Sequence, residues 1–141
     1  MTHVLVDLNV ILDVLLDREP HAEASSALWA AVETRQVEGM VAAHNITTLH
    51  YIVNRLRGRA FAEKCVTGVL SVFAVAPVDA AVVREALSLG WPDFEDAVCT
   101  AAARAAGCNA IVTRDPEGFK LSGLAVLSPK GAIAVIQSTL P

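Results

Sequence analysis

From His3 to Leu8 the chain reads HVLVDL, a run of β-branched and leucine residues that lacks the polar alternation of a half-solvated strand. Such a strand is buried on both faces, the situation of a parallel sheet covered by helices. Similar short apolar runs return at Met40 to Ala43, Val72 to Val75, Ala110 to Thr113 and Ala125 to Leu127, each separated from the next by a helix-forming or turn-rich segment. Parallel neighbours need crossovers of a dozen or more residues, so this alternation predicts an α/β fold. The expected architecture is a three-layer α/β/α sandwich with a central parallel sheet of about four to five strands, in one domain spanning residues 1–141.

The intervening segments carry helical spacing. Ile11, Leu12, Leu15 and Leu16 form one apolar stripe, and Pro20 is expected to open a longer helix through Ala24, Leu28, Ala31 and Val32 that Gly39 stops. Asn45 is read as the N-cap of a helix through Ile46, Leu49, Ile52 and Val53. After Gly58 a further helix places Phe61, Cys65, Val69 and Leu70 on one side, and Asp79 caps the next, which carries Val82, Val83, Ala86 and Leu87 and ends at Gly90. Pro92 and Asp93 begin an alanine-rich helix that Gly107 ends, and Pro129 begins a terminal one through Ile136.

Composition excludes several alternatives. The apolar fraction of 54% and charged fraction of 18% place the chain far from disordered sequences. The apolar opening is interrupted by Asp7 and Asp13 and lacks a basic leader, and no run approaches a membrane span, so a cytoplasmic protein is expected. Cys65, Cys99 and Cys108 form no C-x-x-C pair and read as small buried hydrophobes. A net charge of -4 argues against broad neutralisation of nucleic-acid phosphates, though not against a carboxylate-based nuclease.

Ligands of open parallel sheets bind beyond the carboxyl ends of the strands. Asp7 ends the first strand and Asp115 follows the strand AIVT after one residue, in TRDPEGF; a third acidic group, Asp93, Glu95 and Asp96 in PDFED, starts the helix that feeds that strand. Carboxylates gathered from such distant positions repel one another unless a cation joins them, and a hard divalent ion suits a sparse oxygen site. Each also has a structural reading, since Asp7 and Asp93 stand where helix N-caps stand, and Glu95 and Asp96 complement a helix dipole. The four histidines show no metal-ligand spacing. Arg55, Arg57 and Arg59 in NRLRGR can meet RNA phosphates or simply form a solvated helix end, and Tyr51 can stack on a base or pack. No phosphate-binding glycine loop of the Walker or dinucleotide type is present, and a phosphoacceptor domain is disfavoured because Lys120 is poorly placed for it.

Taken in order, VDLNVILDVLLDR, NITTLHYIVNR and DFEDAVCTAAARAAGCNAIVTRDPEGF resemble the PIN domain family over nearly the whole chain, most specifically from Asp93 to Phe119. The resemblance implies a ribonuclease dependent on Mg²⁺ or Mn²⁺ that cleaves RNA phosphodiester bonds, and the toxin of a VapBC-type pair with an antitoxin protein and a homodimer as partners. It assigns Asp7, Asp96 and Asp115 to the acidic catalytic and metal positions, with Asn9 and Thr113 as polar supports. Thr48 stands where many members carry a glutamate, which leaves Asp93 to complete the metal site; the alternative is a PIN-like domain of little activity that binds RNA or a protein through the same edge.

Overall fold

The computed structural model describes residues 2–139. Five strands, β1 (His3–Val6), β2 (Glu38–Ala42), β3 (Ala74–Ala76), β4 (Ala110–Val112) and β5 (Ala125–Leu127), form one sheet in the order β3-β2-β1-β4-β5. All neighbours are parallel, with Leu5 opposite both Met40 and Ile111. Among the described residues seven α-helices surround it: α1 (Leu8–Leu15), α2 (Ala22–Glu33), α3 (Ala43–Arg57), α4 (Arg59–Val72), α5 (Ala80–Leu89), α6 (Phe94–Ala105) and α7 (Pro129–Thr139). The expected three-layer α/β/α sandwich is thus observed.

The two-residue period of the strands divides the core. Val4, Val6, Val41, Ala110 and Val112 face α1 to α4 and α7, while Leu5, Ala42, Ala76 and Ile111 face α5 and α6. Right-handed crossovers explain the split, because the chain steps from β1 outward to β3 with its helices on one face and returns to β4 on the other. The three cysteines are free and buried, as expected. Among the described residues no helix is long and apolar enough to cross a membrane.

Several local expectations change. The helix after Pro20 starts only at Ala22, and it ends at Glu33, well before Gly39. Gly39 lies inside β2, where a Cβ would come within 2.8 Å of both Phe73 and Val32. It therefore serves close packing of α2 and Phe73 on the strand rather than helix termination. Asn45 is no cap: α3 already begins at Ala43, and Asn45 is wholly buried in its first turn. Val72 closes α4, so β3 starts at Ala74. By contrast Asp79 accepts from the Val82 N–H and Gly90 adopts φ 66°, the cap and stop expected of α5. Leu70, Val83 and Leu87 face outward, since the stripe each helix buries is narrower than its apolar pattern.

Candidate active site

Strand β1 lies between β2 and β4, so the connections leaving its neighbourhood diverge and open a crevice at the carboxyl ends of β1 and β4. Asp7 and the turn Thr113-Arg114-Asp115 stand at that crevice. The Asp7 N–H extends the sheet by donating to the Val112 carbonyl at 2.9 Å, and its extended backbone turns the chain into α1. Asp7 Oδ1 accepts from the Leu8 N–H at 2.9 Å, making Asp7 the N-cap, and Oδ2 accepts from Thr113 Oγ1 at 2.8 Å. The same buried hydroxyl oxygen accepts from the Asp115 N–H at 3.0 Å. Thr113 therefore ties the ends of two adjacent strands together and fixes both aspartates.

The third acidic group arrives with α6. Asp93 is its N-cap, accepting from the Asp96 N–H at 3.1 Å. Asp96, in the first turn, reaches toward the 3-10 turn Pro116–Phe119 that follows Asp115. Gly118 in that turn marks the meeting place: a Cβ on it would sit 2.7 Å from Asp96 Oδ2 and 3.2 Å from Asp115 Oδ2. The two carboxylate oxygens converge on a space that only glycine leaves open.

Electrostatics confirm the crowding. Burial, then the negative charges of Asp93, Asp7, Asp115 and Glu95, push the Asp96 carboxyl up to about 7. Burial also raises Asp7, with Asp115 adding to it, although the Thr113 hydroxyl, the Leu8 N–H and Arg114 pull the other way. Glu95 is raised by burial and by Asp7 and Asp93. The protein has gathered more negative charge than its own cations offset.

Arg114 supplies only a small part of that compensation, to Asp7, because it turns toward Asp13. That carboxylate, on the inner side of α1 and wholly buried, accepts from Arg114 Nη2 at 3.2 Å, from Arg18 Nε at 3.0 Å and from Ser25 Oγ at 3.3 Å, and lies in an ion pair 2.8 Å from Arg114 Nε. A buried acid held by two arginines anchors the Thr113–Asp115 turn to α1 and α2. Sequence reasoning passed over it; an aspartate in the apolar stripe beside Ile11 and Leu12 was the available signal.

A second overlooked group lies where α3 meets α6. Cys99 Sγ stands 3.7 Å from His44 Nε2 and 3.6 Å from Asn45 Nδ2, and burial followed by the charge of Asp7 pushes its thiol strongly up. Burial lowers His44, which favours the neutral ring. Thr48, one turn further along α3 and half-buried, donates to the His44 carbonyl at 3.4 Å.

The other candidate residues are engaged in contacts of their own. Asn9 is exposed and accepts from Arg18 at 3.3 Å. Arg55 lies about 18 Å along the α3 axis from Ala43; it donates to the Tyr51 hydroxyl at 3.0 Å. Arg57 covers the Phe61 ring, and Arg59 pairs with Glu63 at 3.6 Å.

Among the described residues no three His, Cys, Asp or Glu side chains form a ready-made ligand set. The oxygen-only pair at Gly118, open to solvent through exposed Asp115 and held near Asp7, nevertheless fits a divalent ion that keeps most of its water and takes one or two carboxylates. The residues present fit Mg²⁺ or Mn²⁺ better than a softer metal, since the cleft beside the pair is lined by carboxylates and by no cysteine or histidine among the described residues.

No curated protein matches the chain. Among solved structures, the sarcin-ricin loop cleaving toxin VapC20 of Mycobacterium tuberculosis superposes with a TM-score of 0.70 at 19% identity, covering 86% of this chain and 96% of that one. VapBC of Salmonella typhimurium, bound to DNA, gives 0.69 at 16%, covering 92% and 99%. FitAcB of Neisseria gonorrhoeae gives 0.65 at 23%, covering 89% and 97%. These similarities concern the fold. The family match is to the PIN domain and spans residues 3–117, taking in β1, the start of α6 and the Thr113–Asp115 turn; the chain belongs to the PIN domain family.

Proposed function

We propose that this protein is a divalent-metal-dependent endoribonuclease acting on RNA phosphodiester bonds. The observation that carries the reading is the convergence of Asp96 and Asp115 on the space beside Gly118, with Asp7 joined to Asp115 through Thr113. Asp7, Asp96 and Asp115 would hold Mg²⁺ or Mn²⁺, with Asp93 nearby. Bound there, the ion supplies a nucleophile from water at neutral pH and offsets charge on the phosphate. Asp93, engaged with the Asp96 N–H, sets the start of α6 and so aims Asp96. Thr113 keeps an Asp7 oxygen oriented and favours its ionised form. Arg114, spent on Asp13, holds the turn still rather than meeting substrate.

The toxin assignment belongs to the same proposal. Solved structures with this fold include VapBC complexes from Salmonella typhimurium and Rickettsia felis, which supports an antitoxin as partner. An RNA substrate, a homodimer and RNA contacts from Arg55, Arg57 and Arg59 are further parts of the reading.

A second reading, a PIN domain that binds RNA or a partner with little catalysis, is favoured by Thr48, where a hydroxyl stands in place of a carboxylate. Labelled structured RNA incubated with the protein and either Mn²⁺ or EDTA separates the two. Cleavage only with the ion supports the nuclease; none under any condition supports the binding module, and cleavage persisting in EDTA contradicts the metal-dependent mechanism.

A further inference from the structure

Next to the carboxylates lies a cleft of about 410 Å³ that they share. Asp93, Asp96, Asp115 and Glu117 line it together with the apolar Trp91, Pro92 and Leu121. Its size falls in the range of small-ligand clefts, ~300–1,000 Å³. Leu121 is 70% exposed, and Phe94, two residues from Pro92, is 46% exposed. A large apolar surface thus stands open beside the most acidic edge of the molecule. Trp91 is half-buried against the α5–α6 core cluster, which fixes its base while leaving part of it to the cleft.

We propose that this cleft is a nucleobase subsite, in which Trp91 and Leu121 take an unstacked base of single-stranded RNA while the adjoining phosphate reaches the carboxylate site. The inference rests on the nuclease reading and adds the form of substrate that fits it. The acidic edge repels phosphate, and Arg114, between Thr113 and Asp115 at that edge, is committed to Asp13. Lys120 at the rim is paired with Glu117 at 3.2 Å. Phosphate contacts are therefore scarce where the strand must bind, and stacking on an apolar wall is the interaction left to hold it. A base within a duplex is already stacked and cannot enter, so loops and single strands are selected over helices. The other tryptophan does not compete for this role, since Trp29 packs edge-on against Phe73 at 5.0 Å in the core cluster on the opposite face of the sheet.

The test reads binding in EDTA, where cleavage is absent. Tryptophan emission is followed as a single-stranded oligoribonucleotide, a fully paired hairpin and an abasic strand of the same length and charge are titrated into the wild type, Trp91→Phe, Trp91→Ala and Leu121→Ala. We expect quenching by the single strand that Trp91→Phe loses, and affinity for that strand about tenfold or more weaker in Trp91→Ala. A smaller loss is expected for Leu121→Ala, whose exposed side chain bears little on folding, and weak binding of abasic strand and hairpin by every variant. Equal affinity for normal and abasic strands, or emission indifferent to RNA, overturns the subsite. Base-dependent quenching without Mn²⁺-dependent cleavage would leave the subsite standing and sink the nuclease. Cleavage by a protein that binds abasic and normal strands alike would do the reverse.

Discussion

Thr113 donates its hydroxyl to Asp7 at 2.8 Å, so a residue at the end of β4 fixes the carboxylate at the end of β1. The same oxygen accepts from the Asp115 N–H. Thr113→Val keeps the shape and removes both contacts. It should cost about 1 kcal/mol of stability for each hydrogen bond lost, measured by urea denaturation. Mn²⁺ affinity by calorimetry should fall along with it. Unchanged metal affinity would mean that Asp7 needs no partner to face the site.

Gly118→Ala probes the space between Asp96 and Asp115. The added Cβ would meet Asp96 Oδ2 at 2.7 Å, and because that atom ends a movable side chain the fold should survive with Tm within a few degrees. Asp96 must then swing away. Mn²⁺ affinity is expected to drop roughly tenfold or more, and wild-type affinity would place the ion elsewhere.

Asp13→Asn tests the anchor of the Thr113–Asp115 turn. Removing the charge leaves Arg18 and Arg114, 35% and 29% exposed, facing a wholly buried neutral amide; solvent screening of the two guanidiniums holds the cost to about 2 kcal/mol, below that of a fully buried pair. Circular dichroism on heating should show a Tm lower by roughly 5 °C. A change of a degree or two would demote the network to a surface ornament.

The acidic cluster sets the pH response of the metal-free protein. Asp96 is raised from 3.8 to about 7, and Asp7 and Glu95 are raised as well, so folding favours their protonated forms. Their stabilising contribution is complete below the unfolded value and is lost as pH rises through the folded one. The metal-free protein should therefore lose stability between about pH 4 and 7 through these groups, and saturating Mg²⁺ should restore more at pH 8 than at pH 5. A metal-induced shift in Tm that is the same at both values would contradict the cluster.

Much of this was legible in the sequence because it rests on local pattern. Runs such as HVLVDL and AIVT announce buried parallel strands, and Asp7, Asp96 and Asp115 follow strands or start a helix where ligands of such sheets bind. What stayed hidden depends on contacts between distant segments. Nothing local distinguishes Gly39, needed for Phe73 to approach β2, from a helix stop, and nothing local marks Gly118 as the floor of a carboxylate pair. Asn45 has the chemistry of a cap, yet tertiary packing against Cys99 draws it inside α3. Arg114 read as part of a motif, while its partner Asp13 lies 101 residues earlier in the chain.

In the proposed nuclease the carboxylates at the ends of β1 and β4 and the start of α6 act together through a divalent ion. The single-turnover rate of cleavage of a labelled single-stranded RNA at saturating Mn²⁺, compared between the wild type and Asp96→Asn of intact fold, tests it most directly. The amide preserves shape and removes the full negative charge that the site offers. A rate lower by about a hundredfold or more, with cleavage by the wild type abolished in EDTA, is the expected result; cleavage by Asp96→Asn at the wild-type rate, or unaffected by EDTA, would contradict it.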